Sequence, residues 1–139
     1  MRLDMIGNRY AAGFLTSNLQ DLERWDRSLR DHRLLREETQ RVMWRPITIA
    51  DGGIAVLGKD DAGRTLELGY GWLLSTVGGR RLVHHGGNID GYSAQIDRYL
   101  DDDVTVIVLC NNEQGTATRV AAAIGDRWFA LQGSGKAEP

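Results

Sequence analysis

Arg81-Leu82-Val83-His84-His85-Gly86-Gly87-Asn88-Ile89-Asp90-Gly91-Tyr92-Ser93-Ala94-Gln95-Ile96-Asp97-Arg98-Tyr99-Leu100-Asp101-Asp102-Asp103-Val104-Thr105-Val106-Ile107-Val108-Leu109-Cys110 is the stretch that decides the fold. Arg81 to His85 reads as a strand. It runs into Gly86-Gly87-Asn88-Ile89-Asp90-Gly91, a segment expected to be too rich in glycine to stay a regular strand throughout. A further strand spans about Tyr92 to Leu100, and the three aspartates Asp101 to Asp103 make a solvated turn. Val104 to Cys110 is almost wholly apolar, so it is expected to be central or covered on both faces. Connections this short join neighbours antiparallel.

Working upstream, Leu66, Leu68, Tyr70, Trp72 and Leu74 alternate with Glu67, Gly69, Gly71, Leu73 and Ser75, which predicts one strand with a buried face. Gly78-Gly79 turns the chain after it. Asp51 to Arg64 is rich in turn formers around the apolar piece Ile54 to Leu57, and reads as a hairpin or an irregular excursion. Ser17 and Gln20 form a capping box for an amphipathic helix over residues 18 to 31, whose stripe is Leu22, Trp25 and Leu29. A shorter helix runs from about Arg36 to Met43 and is stopped by Pro46. Tyr10 to Leu15 reads as a tight entry segment. Downstream, Thr116 caps a helix in which Val120, Ile124, Trp128 and Leu131 recur at spacings of three and four, a stripe expected to lie on the sheet. Trp25, Trp72 and Trp128 are read as core, and Trp44 as partly exposed. The sum is an α+β class, an antiparallel sheet with packed helices, over residues 1–131, followed by a tail at 132–139 that is flexible by composition.

The chain has 139 residues, 42% hydrophobic and 26% charged, which is ordinary usage for one globular domain. A net charge of −2, with arginines interspersed among acids, builds no field to collect phosphate backbones, so no nucleic-acid partner is expected. No stretch approaches the ~20 apolar residues that span a bilayer, and the first ten residues lack the apolar core of a signal peptide. The segment reads as soluble, without a transmembrane part. Cys110 is the single cysteine, inside an apolar run, and reads as a buried inert thiol.

Chemistry concentrates at His84-His85-Gly86-Gly87-Asn88, where glycine lets a ligand approach backbone N–H donors closely. Adjacent strand residues point to opposite faces, so His84 and His85 are poorly placed to share an ion, and no metal is expected. G-x-x-x-x-G-K-[ST] is absent, and no cofactor is expected. The plain alternative is a glycine-rich turn with a packed histidine.

A wider set of segments carries a resemblance. Ser17 to Trp25, Leu35 to Met43, Gly69-Tyr70-Gly71-Trp72, His85 to Tyr92 and Asp102 to Asn111 together resemble the C-terminal portion of the β-lactamase-related serine hydrolases, in family order over about residues 10 to 131. That family includes class C β-lactamases, penicillin-binding proteins, D-alanyl-D-alanine carboxypeptidases, D-amino-acid amidases and esterases. The resemblance implies an incomplete β-lactamase/transpeptidase-like fold. It also implies that His85-Gly86-Gly87 stands where the family carries K-T-G or H-x-G. His85 and Asn88 would then be catalytic: His85 as the polar group facing substrate, the Asn88 backbone N–H as one arm of an oxyanion hole. Gly86 and Gly87 would line the substrate, and His84 would face away. Histidine in place of lysine leans towards the esterase, amidase and peptidase relatives, since no permanent positive charge is offered at neutral pH.

The family's nucleophile lies in S-x-x-K, and no serine of this chain has lysine three residues on. Y-x-N and S-x-N are absent too. The resemblance places both motifs upstream, together with a helix and strands that complete the sheet beside Val104 to Cys110. The leading expectation is therefore a C-terminal fragment of a bacterial serine hydrolase cleaving amide, ester or β-lactam bonds through an acyl-serine, inactive alone, acting on a small-molecule or peptide substrate through its parent. Its exposed edge would draw it into a homodimer by edge pairing or onto a complementing N-terminal chain. The alternative is a free-standing, non-catalytic binding or assembly module. A third reading is a self-contained esterase using Ser75 or Ser93 with a histidine.

Overall fold

The computed structural model describes residues 15–134 except 90, 113 and 115. The expected entry segment thus lies, except for Leu15, outside the described residues. The elements run α1 (Leu19–Arg30), α2 (Glu37–Met43), β1 (Val56–Lys59), β2 (Thr65–Leu68), β3 (Leu73–Val77), β4 (Arg80–Ile89), β5 (Tyr92–Tyr99), β6 (Val104–Cys110) and α3 (Thr116–Ser134). The six strands form one antiparallel sheet in sequence order, β1-β2-β3-β4-β5-β6, so the α+β class holds.

Five local expectations are corrected. The strand expected over Leu66 to Leu74 is two strands, because Gly69 to Trp72 is a tight turn: the Gly69 N–H donates to the Trp72 carbonyl at 2.8 Å and Gly71 takes φ +74. A period-two pattern survives a four-residue turn, which is why alternation alone missed it. The glycines of β4 do not break the strand, since β5 pairs with it residue by residue from Leu82↔Tyr99 to Ile89↔Tyr92. The cap of α1 is Asn18, whose Oδ1 accepts the Asp21 N–H at 2.9 Å, rather than Ser17. In α3 the sheet-facing residues are Ala117, Ala121 and Gly125, while Val120, Ile124, Trp128 and Leu131 are 36–54% exposed. Small side chains let the helix settle closely on the sheet, and the bulkier stripe falls to one flank. Helix α3 also continues through residues 132–134, expected to be tail.

The core has a layer on each face of the sheet. Leu82, Tyr99, Val106 and Val108 pack under Ala117 and Ala121 of α3, with Phe129 edge-on to Tyr99 at 4.9 Å. On the other face Leu29 of α1 meets Trp72, Leu74 and Val83, and the Trp25 ring, itself 38% exposed, stacks on Trp72 at 5.5 Å. Helices thus touch β6 from both sides. Among the described strands its position is nonetheless the sheet edge, not the centre.

A buried ion pair ties α1 to the sheet. Arg98 donates to Asp26 at 3.0 Å, Thr105 donates to the same carboxylate at 2.9 Å, and both charged side chains are under 10% exposed. Arg98 also reaches the exposed Asp103 at 3.0 Å, so removing Asp26 leaves the buried guanidinium with one solvent-facing partner, whereas replacing both residues leaves no buried charge. Asp26→Ala is expected to lower unfolding free energy by about 3 kcal/mol, and Asp26→Leu combined with Arg98→Met to recover most of it in urea melts. Equal losses in the single and double variants would show that the pair does not couple the helix to the sheet.

Candidate active site

Strand pairing defines the site before any side chain does. β3 runs alongside β4 only from Val77↔Arg80 to Leu73↔His84. Beyond His84, residues 85–89 are paired with β5, and no strand among the described residues lies on their other edge. That open edge coincides with His85, Gly86, Gly87 and Asn88, the four candidate residues.

Alternation along β4 sorts the two histidines onto opposite faces. His84 pairs across β5 with Asp97 and is buried on the α3 face. His85 pairs with Ile96 on the opposite face and is exposed. Near it on that face the sheet is uncovered beyond the end of α1: Ile89, Tyr92 and Leu109 are 40–55% exposed, beside half-buried Ile96 and Ile107. A histidine on an exposed apolar sheet face is the most distinctive surface of the described molecule.

Behind β4 lies a polar layer that the sequence reading missed. Arg64 donates to Asp97 at 2.5 Å and to Asp60 at 2.7 Å. The Gln95 amide donates to Asp97 at 2.5 Å and lies 3.3 Å from His84 Nδ1, while its oxygen accepts from Thr118 of α3 at 3.0 Å. A Cβ on Gly86 would come within 2.2 Å of that amide oxygen, so any larger residue there would push the Gln95 amide off its bonds to Asp97 and Thr118. Complete burial pushes the Asp97 carboxyl up, against the pull of Arg64. At Asp60 partial burial acts in the same sense, but the Arg64 N–H and guanidinium outweigh it and hold the carboxyl below its usual value. The signal available in the sequence was the alternation of polar Ser93, Gln95 and Asp97 along one face of β5.

The same layer removes the self-contained esterase. Ser75 donates its only hydroxyl proton to the Thr65 carbonyl at 2.6 Å, so His84 Nε2, 2.9 Å away, donates to Ser75 instead of accepting from it. A base must accept that proton. Ser93 is buried and lies on the α3 face with Gln95, across the sheet from His85. A shallow groove of about 360 Å³ lined by Asp60, Asp61, Gly86, Gly87, Asn88 and Thr118 opens on this α3 side. It is not on the face that presents His85.

Burial, then the positive charge of Arg64, lowers the His84 pKa to about 4. The unfolded chain therefore binds this proton more readily, and the stabilisation present above pH 6.5 is lost as pH falls towards 4. Between pH 7 and pH 5 this group is expected to remove about 2 kcal/mol of stability, measured as the difference in urea-melt pH dependence between the native chain and His84→Gln. Identical slopes in the two would contradict it.

Comparison with known proteins gives three findings. The family model "Beta-lactamase" matches residues 2–127. "Penicillin-binding protein 4*" of Bacillus subtilis (strain 168) is 29% identical over 105 residues, 75% of this chain and 21% of that protein. The crystal structure of a penicillin binding protein from Bacillus halodurans superimposes with a TM-score of 0.56 at 21% identity, over 81% of this chain and 30% of its own. The chain thus spans about a fifth of the curated relative and under a third of the solved one. No helix among the described residues is long and apolar enough to cross a membrane.

Proposed function

The chain belongs to the β-lactamase family of serine hydrolases, and from that premise we propose that it supplies the substrate-facing strand of an acyl-serine site whose nucleophile resides on polypeptide outside these 139 residues. The observation that carries this reading is the open edge of β4 at residues 85–89, with His85 exposed beside an uncovered apolar sheet face.

The chemistry follows from strand geometry. The register leaves two residues between Ile89 and Tyr92, which makes these a hydrogen-bonded pair in a two-residue hairpin. Alternation then turns the N–H groups of Gly86 and Asn88 away from β5, towards the open edge. An extended small-molecule or peptide amide laid along that edge meets fixed donors, and the Asn88 N–H stabilises the oxyanion as a serine attacks. One such donor contributes roughly 3 kcal/mol to the barrier. His85, on the nucleophile's side of the sheet, meets the polar end of the substrate. The apolar patch of Ile89, Tyr92 and Leu109 receives the element that carries the serine. No serine of this chain has the S-x-x-K lysine, and Ser75 is committed to Thr65, so the chain alone is inactive.

Intact-mass analysis after fluorophosphonate or penicillin treatment tests this. The 139-residue chain alone stays unlabelled. Combined with an S-x-x-K-bearing polypeptide of the family that restores activity, label enters that serine, and His85→Ala slows acylation about a hundredfold. An adduct on Ser75 or Ser93 overturns the proposal, as does acylation indifferent to His85.

A further inference from the structure

The groove on the α3 side of β4 borders the open edge directly. Gly86, Gly87 and Asn88 line it together with Thr118 of α3 and with Asp60 and Asp61 from the turn between β1 and β2, around a volume of about 360 Å³. A Cβ on Gly87 would meet nothing within 4 Å, so the backbone there stands clear of its surroundings.

The lining is arranged to accept hydrogen bonds. Asp60 is fixed in place, since its Oδ1 accepts the Ala62 N–H at 3.0 Å and the Arg64 N–H at 2.9 Å while its Oδ2 accepts Arg64 Nε at 2.7 Å. The same turn leaves Asp61 exposed and without an ion pair among the described residues. Thr118 uses its only proton on the Gln95 oxygen at 3.0 Å, so its own oxygen keeps free lone pairs. Ser93 pairs across the strands with Asn88, and directly opposed side chains stand on the same face. Ser93 is 2% exposed, and its Oγ has no hydrogen-bond partner among the described residues. Buried hydroxyls ordinarily have a partner, and a donor entering beside Asn88 supplies one.

Charge points the same way. The Arg64 guanidinium is shared between Asp60 at 2.7 Å and Asp97 at 2.5 Å, which leaves no positive charge over for Asp61. No lysine or arginine lines the groove, and Lys59, next to Asp60 in sequence, is exposed outside it.

We propose that this groove is a subsite for a positively charged side chain of the substrate. An extended peptide paired along the open edge of β4 sends alternate side chains to the α3 face, and a lysine there sets its ammonium among Asp60, Asp61 and Thr118. An ammonium has three donors and no acceptor, which matches a lining of acceptors. A carboxylate would meet two acids and no lining cation, and an apolar side chain would give Thr118 and Ser93 no donor. This rests on the reading above, that substrate lies along that edge, and adds the substrate's class: a peptide or amide carrying a basic group.

The test titrates the 139-residue chain alone with acetyl-Ala-Lys-Ala-amide and with its norleucine and glutamate counterparts, reading the amide chemical shifts of Gly86, Gly87, Asn88 and Thr118. The lysine peptide is expected to bind about tenfold more tightly than the norleucine peptide, and the glutamate peptide more weakly than either. Salt at about 0.5 M is expected to narrow the difference. Asp61→Asn, a change at an exposed side chain, is expected to erase the preference, and Glu38→Gln on α2 to leave it intact. Equal affinity for the lysine and norleucine peptides, a preference that survives Asp61→Asn, or no shift with the lysine peptide at millimolar concentration overturns the proposal. Binding is read without turnover, so its failure leaves the His85 and Asn88 assignments to stand on acylation. An adduct on Ser75 or Ser93 overturns those assignments while a lysine preference persists.

Discussion

The constraint on which the rest depends is the point where β3 leaves β4. Pairing stops at Leu73↔His84 because the chain before Leu73 is the Gly69 to Trp72 turn, held by its own hydrogen bond and by the Tyr70 N–H to the Met43 carbonyl at 3.1 Å. With Trp72 buried against Leu29, Leu74 and Val83, that turn cannot slide along the sheet without emptying the core on the α1 face. Everything on β4 past His84 therefore keeps an edge that no described strand pairs with, while being held straight by β5.

Rigidity of this edge comes from behind it. Arg64, Asp97, Gln95, His84 and Thr118 join the loop after β1, strands β4 and β5 and helix α3 in one buried set of hydrogen bonds. Such a set specifies geometry more than it adds stability, because two desolvated charges gain little over apolar residues of the same shape. It lies under Gly86, where Gln95 pairs across from β5, and so helps to hold the backbone of the open edge in place. The two histidines divide this labour, His84 facing the framework and His85 facing outward.

Much of the architecture was legible in the sequence because periodicity reports burial directly. β5, β6 and α1 fall where their apolar spacing puts them, and the His85 to Asn88 segment stands out by composition alone. Four features were hidden for physical reasons. A tight turn of Gly-Tyr-Gly-Trp keeps the two-residue period of a strand. Glycines in β4 are tolerated because β5 supplies the pairing and Gln95 takes up the space. The stripe of α3 pointed away from the sheet because Ala117, Ala121 and Gly125, small enough to pack closely, outcompeted larger residues for the inward face. Of the buried Arg64 and Asp97 pair, 33 residues apart in sequence, only the Asp97 side is marked, by the polar alternation of β5; nothing near Arg64 signals its partner.

Two exposed apolar regions, one beside His85 and one along α3, lie on the described surface of this β-lactamase-family chain. The central claim is that residues 85–89 form a rigid strand with one edge free. Site-resolved amide hydrogen exchange on the chain tests it most directly. The account predicts strong protection for the amides of Gly87 and Ile89, which face β5, and exchange within about tenfold of the unstructured rate for those of Gly86 and Asn88. Uniform protection across the four, or uniform loss of it, would contradict the account.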